Sequence, residues 1–231
     1  MNNSLLEFEI VRSSRRKTAA IYINDKGVVV RVPLWVSDAW IHEWVNSRRA
    51  WIEKNQKNFK QNLSEFCLKT EQGAAFPLLG LYYTLNWRPG GETQVSIEGE
   101  EIIVQLSRRS SKPEHERAEK ALKAWYRSQA QEVISFRVKH WARVMGIEYN
   151  GLKIKSFKRR WGSCSGTREL SFNWRLILAE AALIDYVVIH ELAHCVHLNH
   201  SPQFWEVVET FCPDWKEKRG QLQKRSGWVL W

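Results

Sequence analysis

Nowhere in its 231 residues does the chain hold about 18 consecutive apolar residues, so no segment reads as a membrane-spanning helix. The first seven residues lack the apolar core of a secretory signal, and a cytoplasmic location with no membrane partner is expected. Cysteine is sparse. Cys67, Cys164, Cys195 and Cys212 are widely spaced and form no paired metal-ligand pattern, which suits buried thiols in a reducing compartment. No glycine-rich phosphate loop and no carboxylate-rich magnesium cluster occurs. Acid is in deficit too, with 25 Asp and Glu against 35 Lys and Arg, a net charge of +10. That balance favours anionic partners such as nucleic acid or polyphosphate, and equally suits a soluble protein with many solvated cations.

What is present suits one domain or two small, closely packed ones. Strands are expected over residues 7–11, 19–23 and 28–32, with a hairpin turn Asn24-Asp25-Lys26-Gly27 in which Gly27 can take positive φ. Arg12, Arg15, Arg16 and Lys17 stand before that hairpin, as an anion-binding patch or a solvated surface. Ser37 and Asp38 cap a helix expected over residues 39–62, and the spacing of Trp40, Trp44 and Trp51 suggests core packing. Further strands follow at 81–87, 94–97 and 102–106. Residues 1–110 thus read as a small, mainly antiparallel β assembly with one long helix and no catalytic pattern, fit for scaffolding or recognition. A polar stretch at 107–112 suggests a boundary. Residues 111–231 begin with a helix over 113–145 that Gly146 stops. Strands over 147–157 and 169–174 follow, with a sharp bend allowed by Gly162 between them. The fold class is α+β.

The chemistry gathers at His190-Glu191-Leu192-Ala193-His194 and the histidines after it. His190 and His194 are one helical turn apart on one face and can grip a single zinc ion. Glu191 lies about 100° further round, within reach of a water in an open coordination position. A catalytic zinc takes three protein ligands, and two histidines compete for the third place. On a continuing helix His197 sits about 10 Å along the axis from His190, whereas nitrogens around zinc are only about 3–3.5 Å apart. His200 can fold back if the helix stops near Leu198. Asn199 tolerates a left-handed helix end, and Ser201-Pro202 reads as the start of another helix. The expected ligands are His190, His194 and His200, holding one Zn2+ per chain, with Glu191 as general base.

The segment HELAHCVHLNHSPQFW, with Cys212-Pro213-Asp214-Trp215-Lys216 after it, resembles the YgjP-like metallopeptidase family, zincins related to SprT-like proteases. Arg160-Trp161-Gly162-Ser163-Cys164-Ser165 and Leu170-Ser171-Phe172-Asn173-Trp174-Arg175-Leu176 are similar to the same family. So are Ser14-Arg15-Arg16-Lys17-Thr18 and Arg31-Val32-Pro33. The resemblance implies a zincin-like hydrolase domain over 111–231 with peptide or protein substrates. It also implies a strand before the metal helix, residues 169–174, that either pairs with extended substrate or is an ordinary buried strand. Arg160 or Asn173 is expected to bind substrate and stabilise an oxyanion, the alternative for either being a structural role. Two other readings stay open. One is a nucleotide pyrophosphohydrolase, with Lys158, Arg159 and Arg160 neutralising phosphate; the other is a nucleic-acid-associated, SprT-like protein.

Overall fold

The structure, a computed structural model, describes residues 6–24, 27–66 and 68–231. Asp25 and Lys26 of the expected hairpin, Cys67 and the first five residues lie outside the described residues. The chain divides into two compact units, Met1–Phe66 and Cys67–Trp231. The polar stretch at 107–112, where the sequence suggests a boundary, falls inside the second.

In the first unit, β1 (Phe8–Ser13), β2 (Ala20–Asn24) and β3 (Gly27–Pro33) form a sheet in the order β1-β3-β2. The β-branched run of β3 explains its central place, with Val28, Val30 and Val32 all buried. Two helices follow, α1 (Asp38–Ser47) and α2 (Arg49–Phe66), where one was expected. The Ser47 hydroxyl donates back to the Trp44 carbonyl at 2.8 Å, and Arg48 leaves helical geometry at φ −107°. Ile41, Val45 and Ile52 are buried, while Trp40 and Trp51, expected in the core, are 44% and 50% exposed.

The second unit opens with β4 (Ala75–Leu78), β5 (Leu81–Gly90), β6 (Gln94–Glu98) and β7 (Glu101–Ser107), ordered β4-β5-β7-β6. Two of its three ladders are antiparallel and β5–β7 is parallel, whereas the first unit's sheet, expected to be mainly antiparallel, has one ladder of each kind. This sheet packs on α3 (Glu114–Met145), which buries Ala118, Leu122, Tyr126, Ala130, Ile134, Val138 and Ala142. Residues four apart fall on one stripe of a helix, so one side of α3 makes a continuous apolar seam. Gly146 closes the helix at φ 65°, as its position suggested. Next come β8 (Gly151–Lys155), β9 (Gly162–Cys164) and β10 (Glu169–Asn173), in the order β8-β10-β9. A 3-10 turn at Trp174–Leu178 leads into α4 (Ala181–Ala193), then α5 (Pro202–Phe211) and α6 (Trp215–Lys224). The architecture is α+β.

Helix α4 lies against α3, and one polar link crosses their contact. Arg137 donates to both Asp185 carboxylate oxygens at 2.7 and 2.8 Å, and the Trp141 indole N–H donates to the same carboxylate at 2.9 Å. Asp185→Ala removes all three bonds and leaves the half-buried guanidinium unpaired. Chemical denaturation should show a loss of about 2 kcal/mol, with Asp185→Asn losing less.

Candidate active site

Helix α4 is apolar almost all round, with Leu183, Ile184, Val187, Val188, Ile189 and Leu192 buried. A helix so enclosed presents its few polar side chains at fixed positions. It ends at Ala193, five or six residues before the expected stop, with His194 as its cap. Short bonds from Cys195 N to Leu192 O and from Val196 N to Ala193 O tighten the last turn. Positive φ outside glycine occurs among the described residues only at Leu79 and Arg168, so Asn199 does not supply the left-handed stop. The Ser201 oxygen accepts from Phe204 N and Pro202 opens α5, as the sequence indicated.

The early stop lets the chain reverse and carry His200 back. Potential ligand atoms of His190, His194 and His200 lie within 4.8 Å of one another, the one such group of His, Cys, Asp or Glu among the described residues. His190 Nε2 and His200 Nε2 are 3.2 Å apart, close to the nitrogen spacing about a tetrahedral zinc. His194 Nδ1 is 3.0 Å from the His197 carbonyl, an acceptor only, so the ring donates there and keeps the Nε2 lone pair free. Burial, with His194 and His200 nearby, pulls His190 down to about 3, and His194 is lowered for the same first reason. Neutral imidazoles are what a metal requires, and this donor set fits zinc. His197 enters through its backbone, a role that side-chain spacing does not reveal.

Glu191 is 6% exposed and faces β9. Burial pushes its carboxyl up to about 8, while the Arg160 guanidinium and a hydrogen bond from the Cys164 backbone pull it partly back. The bend expected of Gly162 is not what demands glycine, because its φ is not positive. A Cβ there would stand 2.6 Å from Glu191 Oε1 and 2.7 Å from its Cγ. The glycine makes room for the acid. Gly162, Ser163 and Cys164 form one wall of a cleft of about 280 Å3, and the three histidines, Glu191 and Leu198 line the rest.

The remaining expectations resolve by location. Strand β10 pairs on both sides, so it is the central buried strand and has no edge for substrate. The edges of this sheet are β8 and β9, and it is β9 that lines the cleft. Arg160 is exposed, with its guanidinium 4.8 Å over the Phe157 ring. Asn173 is fully buried; its amide nitrogen donates to the carbonyls of Phe157 and Arg160 at 2.9 and 3.2 Å, and its oxygen accepts from Arg175 N. Its polar atoms hold the loop that carries Arg160. Cys195 is buried with its sulfur 3.7 Å from that of Cys164, Cys164 is only partly buried, and Cys212 is buried.

Imidazole donors set around one point beside a buried acid are the equipment of a metal-dependent hydrolase. Comparison with known families names which kind. The family model for the YgjP-like metallopeptidase domain matches residues 17–225, and the chain belongs to that family. It is a metallopeptidase, a metal-dependent hydrolase. No curated protein matches it. Among solved structures it is similar to the metallopeptidase zymogen of Pyrococcus abyssi abylysin, at 22% identity and TM-score 0.38, over 40% of this chain and 93% of that one. The zymogen of Methanocaldococcus jannaschii jannalysin gives 24% identity and TM-score 0.35, over 39% and 96%.

Two outcomes follow from this geometry. His200→Ala should lose most bound metal, and His197→Ala should retain it, because only the backbone of residue 197 supports the site; metal content of both purified variants decides this. In chelated protein the raised carboxyl of Glu191 stabilises the fold while protonated. Relative to Glu191→Gln, the native chain should therefore lose stability as pH climbs from about 4.5 to about 8, and no further above it. Melting temperatures of the two chelated proteins across that range report the difference.

Proposed function

We propose that the three histidines hold a single zinc ion and that Glu191 is the general base of peptide-bond hydrolysis. The observation that supports this most is the convergence of three neutral imidazoles beside a carboxyl buried against β9. Zinc bound there supplies Lewis acidity, acidifying water and polarising the scissile carbonyl. Glu191, held by the Cys164 N–H, takes the proton of the attacking water and delivers it to the leaving amine. The open edge of β9 pairs with extended substrate, aligning one peptide bond over the cleft. Arg160 binds substrate and faces the charge that develops on the carbonyl oxygen, while Asn173 serves it by positioning its loop.

In this reading residues 1–110 serve scaffolding or recognition and 111–231 carry hydrolysis. The substrate is a peptide or protein, and the setting is the cytoplasm, in keeping with free thiols at Cys164, Cys195 and Cys212. Among the described residues no helix is long and apolar enough to cross a membrane. The family match favours peptide over nucleotide or nucleic acid.

The test is peptide and casein hydrolysis by zinc-loaded protein, with chelator controls and nucleoside triphosphates as a parallel substrate. Glu191→Gln should keep its zinc and lose on the order of 10²–10⁴-fold in rate. Near-normal turnover by that variant removes Glu191 as the base, and turnover of nucleotide alone removes the peptidase reading. Arg160→Ala should slow hydrolysis with metal content intact.

A further inference from the structure

Strands β1 and β3 run parallel with Ser13 opposite Pro33, so the turns that follow them leave the same end of the sheet. After β3 the chain projects Leu34 and Trp35, which are 59% and 79% exposed, between the buried Pro33 and Val36. This projection is held firmly. Arg12 donates to the carbonyls of Leu34 and Val36 and to the Asp38 carboxylate, and Val36 N closes the turn onto Pro33 O. Asp38 is thereby neutralised by the residue that fixes the loop. Trp40, in the first turn of α1, adds a third exposed apolar side chain. The turn after β1 carries Arg15, Arg16 and Lys17, and Arg16 N closes it onto Ser13 O.

We propose that this end of the first unit is a docking tip for an anionic lipid surface. Charge complementarity supports it: a basic turn stands beside an apolar projection whose own nearby acid is paired. Shape separates lipid from other anionic partners. A peptide needs a groove or a sheet edge; a cavity of this unit, about 650 Å3, opens at the opposite end of the strands against Phe8 and Val28, and the tip itself is made of turns beyond the ends of the edge strands. An exposed tryptophan next to a leucine on a rigid turn suits the headgroup boundary, where the indole lodges at the interface and the aliphatic chain meets acyl groups. Lysine and arginine beside it are drawn to anionic headgroups. The contact is adsorption, distinct from spanning.

Flotation of the zinc-loaded full chain with phosphatidylcholine vesicles, with and without phosphatidylglycerol, tests the proposal. Binding is expected to the anionic vesicles, with little to phosphatidylcholine alone. Trp35→Ala together with Leu34→Ala should weaken it about tenfold or more, by loss of the inserted apolar surface. Arg15→Glu with Lys17→Glu should weaken it at least as much. Trp35→Phe should keep most of the binding, which separates loss of insertion from loss of folding. No binding to anionic vesicles overturns the proposal, as does binding that the Leu34 and Trp35 changes leave untouched. Tip-dependent capture of a single-stranded oligonucleotide or an acidic peptide, with vesicles ignored, overturns it in favour of that partner.

Discussion

The site depends on a carboxyl group buried against a strand with no side chain in its way. Glu191 occupies the space that any Cβ on Gly162 would need, and the Cys164 N–H holds it there. This contact joins the histidine helix to the wall of the cleft, so the acid and the ligand nitrogens share one frame. Displacing the acid by an ångström or so would also slow the reaction, because proton transfer needs hydrogen-bond reach.

Burial acts on the two halves of the site in opposite directions. It favours the neutral form of any titratable group, which lowers the pKa of His190 and raises that of Glu191. The imidazole thus keeps its lone pair, and the acid is held toward its protonated form. The two effects arise in the same few ångströms of low-dielectric interior. The anchor of α4 lies one turn back at Asp185, bonded by Arg137 and Trp141 of α3, so the seam under the helix also sets its position.

Much of the candidate histidine cluster was legible in order along the chain. His190 and His194 follow from helical spacing, and His200 follows from the short reach that zinc demands. The rejection of His197 as a side-chain ligand used helical rise, yet the helix had already ended at Ala193. Its carbonyl orients His194 instead. The tryptophans show the opposite case. Their spacing on the first unit's helices resembled a core stripe, yet the stripe one position on, Ile41, Val45 and Ile52, is the buried one and leaves Trp40 and Trp51 in solvent. A one-dimensional period with two neighbouring apolar stripes does not say which of them meets the sheet.

By itself the sequence determined what depends on neighbours along the chain. That covers the α+β class, the caps at Ser37, Gly146 and Ser201, and the helical pair of histidines with an acid between them. Only the tertiary structure decided which strand forms the edge, why residue 162 has to be glycine, and that Asn173 is committed to backbone carbonyls. Each of these is a contact between residues far apart in sequence, where the space left by one element limits the side chain of another. Local propensity carries no record of that space, because it arises only when β9, β10 and α4 pack together.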